Sequence, residues 1–204
     1  MSLPRALLVD ADGVLQRNPA GWLDGVRGFV PAVDADAFTD DLWATERDAL
    51  LGRRSFSDVV ADLAGRWRLA GRETDLIGHW QRAEPDPGVV ALVRRLRAAG
   101  LAVHLATNQN DLRASYLCEE LGYDELFDRL FVSCRIGATK DQPAFFAHVL
   151  AELALPAEQV LLVDDRPAYT ETARAAGLGT ITWHLDEGLE VLRRRLVTAG
   201  VSLG

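Results

Sequence analysis

Apolar residues run unbroken at Leu7-Leu8-Val9 and again at Val160-Leu161-Leu162-Val163. Such runs predict short strands buried on both faces, because a strand with one wet face would alternate. Leu101 to Ala106, Leu130 to Ser133 and Gly179 to Trp183 read as further strands. Between them the apolar spacing becomes helical. Val89, Val90, Leu92, Val93 and Leu96 share a face until Gly100 ends it, and helices are predicted from about Asp111 to Leu121, Pro143 to Leu153 and Pro167 to Ala176. A last helix follows Trp183. This rhythm of strand and helix predicts an α/β fold with a parallel sheet covered on both faces.

One region breaks the rhythm. From Gly21 to about Ala83 only helical patterns occur. Phe38, Leu42, Ala49 and Leu50 mark one helix. Phe56, Val59, Val60, Leu63 and Trp67 mark a second, with Ser55 as its cap and Asp58 three residues on. Leu76, Ile77 and Trp80 mark a third, from Glu73 to Arg82. Gln16-Arg17-Asn18-Pro19 reads as a loop before this region, and Glu84-Pro85-Asp86-Pro87-Gly88 punctuates its end. The expected organisation is a core formed by residues 1–16 and 87–204, with a helical insert at 17–86 lying over the end of the first strand. Trp22, Trp43, Trp67 and Trp80 fall in the insert. They are expected to pack its interior, with one or two as candidates for lining a pocket.

Composition narrows the function classes. A net charge of −8 without a basic run excludes an ordinary nucleic-acid binder. Arg193-Arg194-Arg195 reads as a solvated helix face. Cys118 and Cys134 lack metal-ligand spacing and make no disulfide framework, so a cytoplasmic setting is expected. No signal-peptide pattern and no run of membrane-spanning length is present.

The candidate chemistry sits at strand ends. The first strand ends in Asp10-Ala11-Asp12-Gly13, the strand after residue 100 in Thr107-Asn108, and the fourth in Asp164-Asp165. Asp-x-Asp-Gly taken alone is also ordinary turn chemistry. In a parallel sheet, however, these ends share one edge, where ligands bind. Carboxylates converging there repel one another unless a cation sits among them, and oxygen donors without Cys or His suit Mg²⁺. The Thr107 hydroxyl, amides near Gly13 and the Lys140 ammonium would complete a phosphate site. Such a set suits phosphoryl transfer, with Asp10 as nucleophile and Asp12 exchanging protons.

Four segments in this order resemble the haloacid dehalogenase (HAD) superfamily: Asp10-Ala11-Asp12-Gly13-Val14-Leu15, Leu105-Ala106-Thr107-Asn108, residues 137–146 around Lys140, and Val163-Asp164-Asp165-Arg166-Pro167. The resemblance implies a Rossmann-like core with a helical cap, as in the first HAD subfamily and its phosphatase-like branch. It implies Asp10 as nucleophile and Asp12 as general acid/base. Asp10, the main-chain carbonyl of Asp12 and Asp165 would hold Mg²⁺ with Asp164 assisting, and Thr107, Asn108 and Lys140 would bind phosphate. Asp141, Tyr169 and Thr172 depart from the family's usual residues.

The expected activity is Mg²⁺-dependent hydrolysis of a small phosphoester by a monomer or homodimer, without nucleic acid or membrane. A phosphomutase of the same superfamily and a non-catalytic phospholigand-binding protein are the alternatives. The four histidines are scattered, with His104 structural inside a strand. Arg47, Arg53, Arg54 and Arg66 either meet an anionic substrate or form solvated helix faces, and Arg166 is expected in an outward salt bridge.

Overall fold

Strand β1 (Ala6–Val9) is the middle strand of a five-stranded sheet, which accounts for its unbroken apolar run. The computed structural model describes residues 3–203. After β1 come β2 (Gln16–Arg17), helices α1 (Trp22–Arg27), α2 (Ala35–Leu50), α3 (Phe56–Trp67) and α4 (Glu73–Gln81), and β3 (Glu84–Pro85). The chain continues through α5 (Pro87–Ala98), β4 (Ala102–Thr107), α6 (Asp111–Glu119), α7 (Tyr123–Leu126), β5 (Leu130–Val132) and α8 (Ser133–Ile136). It ends with α9 (Pro143–Leu153), β6 (Val160–Asp164), α10 (Pro167–Ala175), β7 (Gly179–Thr182) and α11 (Leu189–Thr198).

The sheet order is β5-β4-β1-β6-β7, with every neighbouring pair parallel. Val9 lies level with Leu105 on one side and Val163 on the other. Alternate residues supply the two faces. Leu7, Val9, Leu105 and Val163 pack with Val93 and Leu96 of α5 and with Leu192 of α11. Leu8, Ala106 and Leu162 pack with Phe145, Phe146 and Val149 of α9. His104 is buried in β4 with its ring 5.8 Å from that of Phe131, and burial lowers its proton affinity. It belongs to the packing and lies apart from the site below.

The insert has its own core. Trp22, Phe38, Leu42, Phe56, Val60 and Trp80 form a cluster separate from both sheet faces, and Leu112 of α6 packs against it. Ser55 caps α3 as expected, accepting from the Asp58 amide at 3.1 Å. Trp43 is exposed on the surface. Two features were not expected. Gln16–Arg17 forms a two-residue antiparallel ribbon with Glu84–Pro85, where sequence predicted a loop and a turn. Two residues carry no periodicity, and Pro85 cannot donate to a ladder. The ribbon brings the two chain crossings between sheet and insert side by side. The short helices α1, α7 and α8 were also unread. Among the described residues, no helix is long and apolar enough to cross a membrane.

Candidate active site

Because the sheet is parallel, the residues that end β1, β4 and β6 meet at one edge. There, a cavity of about 380 Å³ is lined by Asp10, Asp12, Thr107, Lys140, Asp165 and the outer residues Arg17 and Arg166, among others. No residue of helices α1–α4 lines it. The expectation that a tryptophan of the insert would do so is therefore not met: three of the four pack inward or at the edge of the insert's core, and Trp43 faces outward. The four arginines of the insert considered as substrate contacts are engaged in ion pairs. Arg47 pairs with Asp141, Arg53 with Asp48, Arg54 with Asp62 and Arg66 with Asp41.

The loop after β1 is tightly wound. The amides of Leu15 and Gln16 both donate to the Ala11 carbonyl, at 2.8 and 2.9 Å. The Gly13 amide itself donates to the Gln16 carbonyl at 2.8 Å. Gly13 is required for its backbone conformation and its lack of a side chain. Its φ is +82°, and a Cβ there would stand 2.7 Å from Asp165 Oδ2. Only glycine tolerates both the turn and that approach.

Lys140 is the centre of the charge arrangement. It is buried, and its Nζ lies 2.6 Å from Asp10 Oδ1 and 2.6 Å from Asp164 Oδ2. Its amide donates to Asn108 Oδ1 at 3.0 Å, which ties the lysine loop to the end of β4. Asp164 also accepts from the Arg166 amide at 2.9 Å. Burial pushes the Asp10 carboxyl up, to about 8, with the Asp164 charge adding to the rise and the Lys140 ammonium opposing it. On Lys140, burial favours the neutral amine, but the two carboxylates outweigh it and raise its proton affinity. These tendencies compete for one proton. The 2.6 Å contacts to two carboxylates at once decide for an ammonium between two carboxylates, because a neutral amine would leave both acids without a counter-charge.

Negative charge therefore remains in excess. One carboxylate oxygen from each of Asp10, Asp164 and Asp165 lies within 4.8 Å of the other two. Asp165 Oδ1 is buried without a hydrogen-bond partner among the described residues. Burial and the Asp164 charge raise the Asp165 pKa. An all-oxygen donor set with an orphaned buried acceptor fits a hard divalent cation such as Mg²⁺.

The Asp12 carboxylate stands apart from that trio. Its Oδ1 accepts from Gln16 at 2.8 Å and from Arg113 at 2.7 Å, and its Oδ2 from Gln109 at 2.8 Å. Thr107 is buried beside it, accepting from Gln109 Nε2 at 3.2 Å. Among the described residues Arg166 has no salt-bridge partner, and it lies 5.0 Å over the Tyr169 ring, with a bond to the Tyr169 hydroxyl at 3.1 Å. Stacking on the ring satisfies the guanidinium at the cavity wall without a carboxylate.

Sequence reasoning missed Gln16, Gln109 and Arg113. One signal was available for Arg113: it lies on the same face of α6 as Leu117, four residues on, where an apolar residue would be expected.

The chain belongs to the haloacid dehalogenase-like hydrolases, whose family model matches residues 4–177. It is an enzyme of that hydrolase class. It is 27% identical over 194 residues to a phosphoglycolate phosphatase of Rhodospirillum rubrum, covering 88% of this chain and 79% of that protein. It is 32% identical over 106 residues to a sesquiterpene phosphatase of Aspergillus oryzae, covering 52% of this chain and 53% of that protein. Among solved structures, a HAD family enzyme of Bacteroides thetaiotaomicron aligns with a TM-score of 0.81 at 18% identity, over 95% of this chain and 100% of that one. The same enzyme in complex with magnesium and inorganic phosphate aligns with a TM-score of 0.76 at 16% identity, over 93% and 98%.

Proposed function

We propose that this protein is a Mg²⁺-dependent phosphatase that hydrolyses a small, polar phosphate monoester through a phosphoryl group carried on Asp10. The observation that carries the reading is the buried Asp10–Lys140–Asp164 cluster, open to a cavity that Asp12 also faces. The two phosphatase relatives support the hydrolysis of a phosphoester, and their differing names leave the alcohol half of the substrate to this pocket. Arg17, Asn18, Arg166 and His184 on its wall favour a polar alcohol.

In this mechanism an Asp10 oxygen attacks phosphorus and the bond to the alcohol oxygen breaks, with Asp12 in its protonated form giving that oxygen a proton. Asp12, now a carboxylate, takes a proton from water as the water oxygen attacks the phosphorus of the aspartyl phosphate. Inorganic phosphate leaves and Asp10 is restored. Thr107, Asn108 and Lys140 hold the phosphate oxygens, and the ammonium offsets the charge that develops there. Asp10, Asp165 and the main-chain carbonyl of Asp12 would hold Mg²⁺, with Asp164 behind them, and the bound ion supplies positive charge against carboxylates and phosphate. The insert at 17–86 acts as a cap that keeps water from the site. No cap side chain from α1–α4 supplies chemistry.

The test is phosphate release from a panel of small phosphoesters, with Mg²⁺ and with chelator, beside Asp10→Asn. Turnover that requires metal and vanishes in the variant is expected. Release by folded Asp10→Asn at the wild-type rate would remove the nucleophile assignment, and no release from any ester would remove the phosphatase reading.

A further inference from the structure

Arg113 is an arginine in the protein interior, with its side chain 5% exposed, whereas the Asp12 side chain that it holds is 41% exposed. The donors thus stand behind the carboxylate and leave its other side toward the cavity. Gln16, Gln109 and Arg113 engage both carboxylate oxygens between 2.7 and 2.8 Å, so the group has little freedom to rotate. Burying a guanidinium is costly, and a buried ion pair adds little net stability over an apolar pair of the same volume.

The other contacts of Arg113 point to a role. Its Nη1 donates to the Trp80 carbonyl of α4 at 2.8 Å, and its Nη2 also reaches Asn18 Oδ1 in the linker at 3.3 Å. Next to it, Asn110 caps α6 by accepting the Arg113 amide at 2.9 Å and donates to Glu46 Oε1 of α2 at 2.7 Å. The same Glu46 oxygen accepts from Trp80 Nε1 at 2.9 Å. One guanidinium therefore touches the catalytic loop, the linker and the insert, and a buried Glu–Asn contact between insert and core lies beside it. The two-residue ribbon at Gln16–Arg17 and Glu84–Pro85 is the only strand pairing described between the chain crossings.

We propose that Arg113 is a positioning residue that aims Asp12 at the leaving oxygen only while the insert is seated on the core. The proposal rests on the phosphatase reading above. When the insert lifts, the guanidinium loses the Trp80 carbonyl, its fixed partner across the interface. Its fork then no longer has a single orientation, and the Asp12 carboxylate loses alignment with it. Proton transfer is thereby confined to the covered site, where water competes least.

The test compares an alkyl phosphate, the best of the panel, with p-nitrophenyl phosphate, whose leaving group needs no proton from the enzyme. Arg113→Met is expected to lower kcat/KM, which reports the steps up to departure of the alcohol, by about 10²-fold on the alkyl ester and by less than about tenfold on the aryl ester. Arg113→Lys, which keeps the charge without the fork, shows the same selectivity with a smaller loss and carries the test if the Met variant does not fold. Glu46→Leu, which loosens the insert without touching Asp12, also loses the alkyl ester selectively, and adds nothing in the Arg113→Met background. Equal loss of kcat/KM on both esters in folded Arg113 variants overturns the positioning role, and additive losses in the double variant overturn its dependence on the insert. Hydrolysis of neither ester by the wild-type protein would instead bring down the phosphatase reading itself.

Discussion

The sheet core and the helical insert use their interiors differently. The core buries charge: Asp10, Lys140 and Asp164 are nearly inaccessible at its carboxyl edge and pair at 2.6 Å. The insert buries rings, with Trp22 and Trp80 centroids 4.8 Å apart and Phe56 5.9 Å from Trp80, while Arg54–Asp62 and Arg66–Asp41 pair on its outside. Its buried acid, Glu46, turns toward the core and not toward the cavity. A sheet edge is where strand ends converge, so it can hold several charged groups against one another, whereas a small helical unit depends on apolar packing for its shape. On the proposed function, the contrast gives chemistry to one region and cover to the other.

The largest effect expected from breaking this contrast comes from Lys140→Met. It leaves Asp10 and Asp164 buried without their counter-charge, so turnover should disappear and stability should fall by about 3–5 kcal/mol in urea denaturation with chelator present. A near-wild-type midpoint would mean that the cluster is not the buried ion pair described here. A smaller loss is expected from Gly13→Ala. The left-handed φ and the approach to Asp165 together cost about 1–2 kcal/mol or more. Calorimetric Mg²⁺ titration should show weaker binding, since the new methyl group displaces Asp165. Unchanged metal affinity would place Asp165 outside the cation site.

The mildest prediction concerns the insert's exception. Burial is the main cause that raises the Glu46 pKa above 4.5, outweighing its hydrogen bonds from Asn110 and Trp80 and the charge of Arg113. The folded state then binds this proton more tightly than the unfolded state. Its contribution to stability is therefore complete below pH 4.5 and is lost as pH rises through the folded pKa. Glu46→Gln, which keeps an acceptor oxygen without the charge, should melt at a higher temperature than wild type near pH 7 and match it near pH 4.5. A gap that widens toward acid would reverse the sign and remove the effect.

Much of this was legible in the sequence. Leu7 to Val9 and Val160 to Val163 announced central strands, because burial on both faces demands contiguous apolar residues. Phe56, Val59, Val60 and Leu63 announced α3, and Ser55 its start, because helical period and capping are local properties. Asp10, Thr107 and Asp164 could be placed at one edge as soon as the sheet was read as parallel. Tertiary structure alone decided which of these polar groups touch. Lys140 bridges Asp10 and Asp164, Arg166 stacks on Tyr169, and Arg113 holds Asp12 from 101 positions away. The pairing of Gln16–Arg17 with Glu84–Pro85 belongs with them. Periodicity records the environment of a residue within its own helix or strand. The identity of a partner far along the chain leaves no such record, and it is settled only when the strand order and the seating of the insert bring the two side chains together.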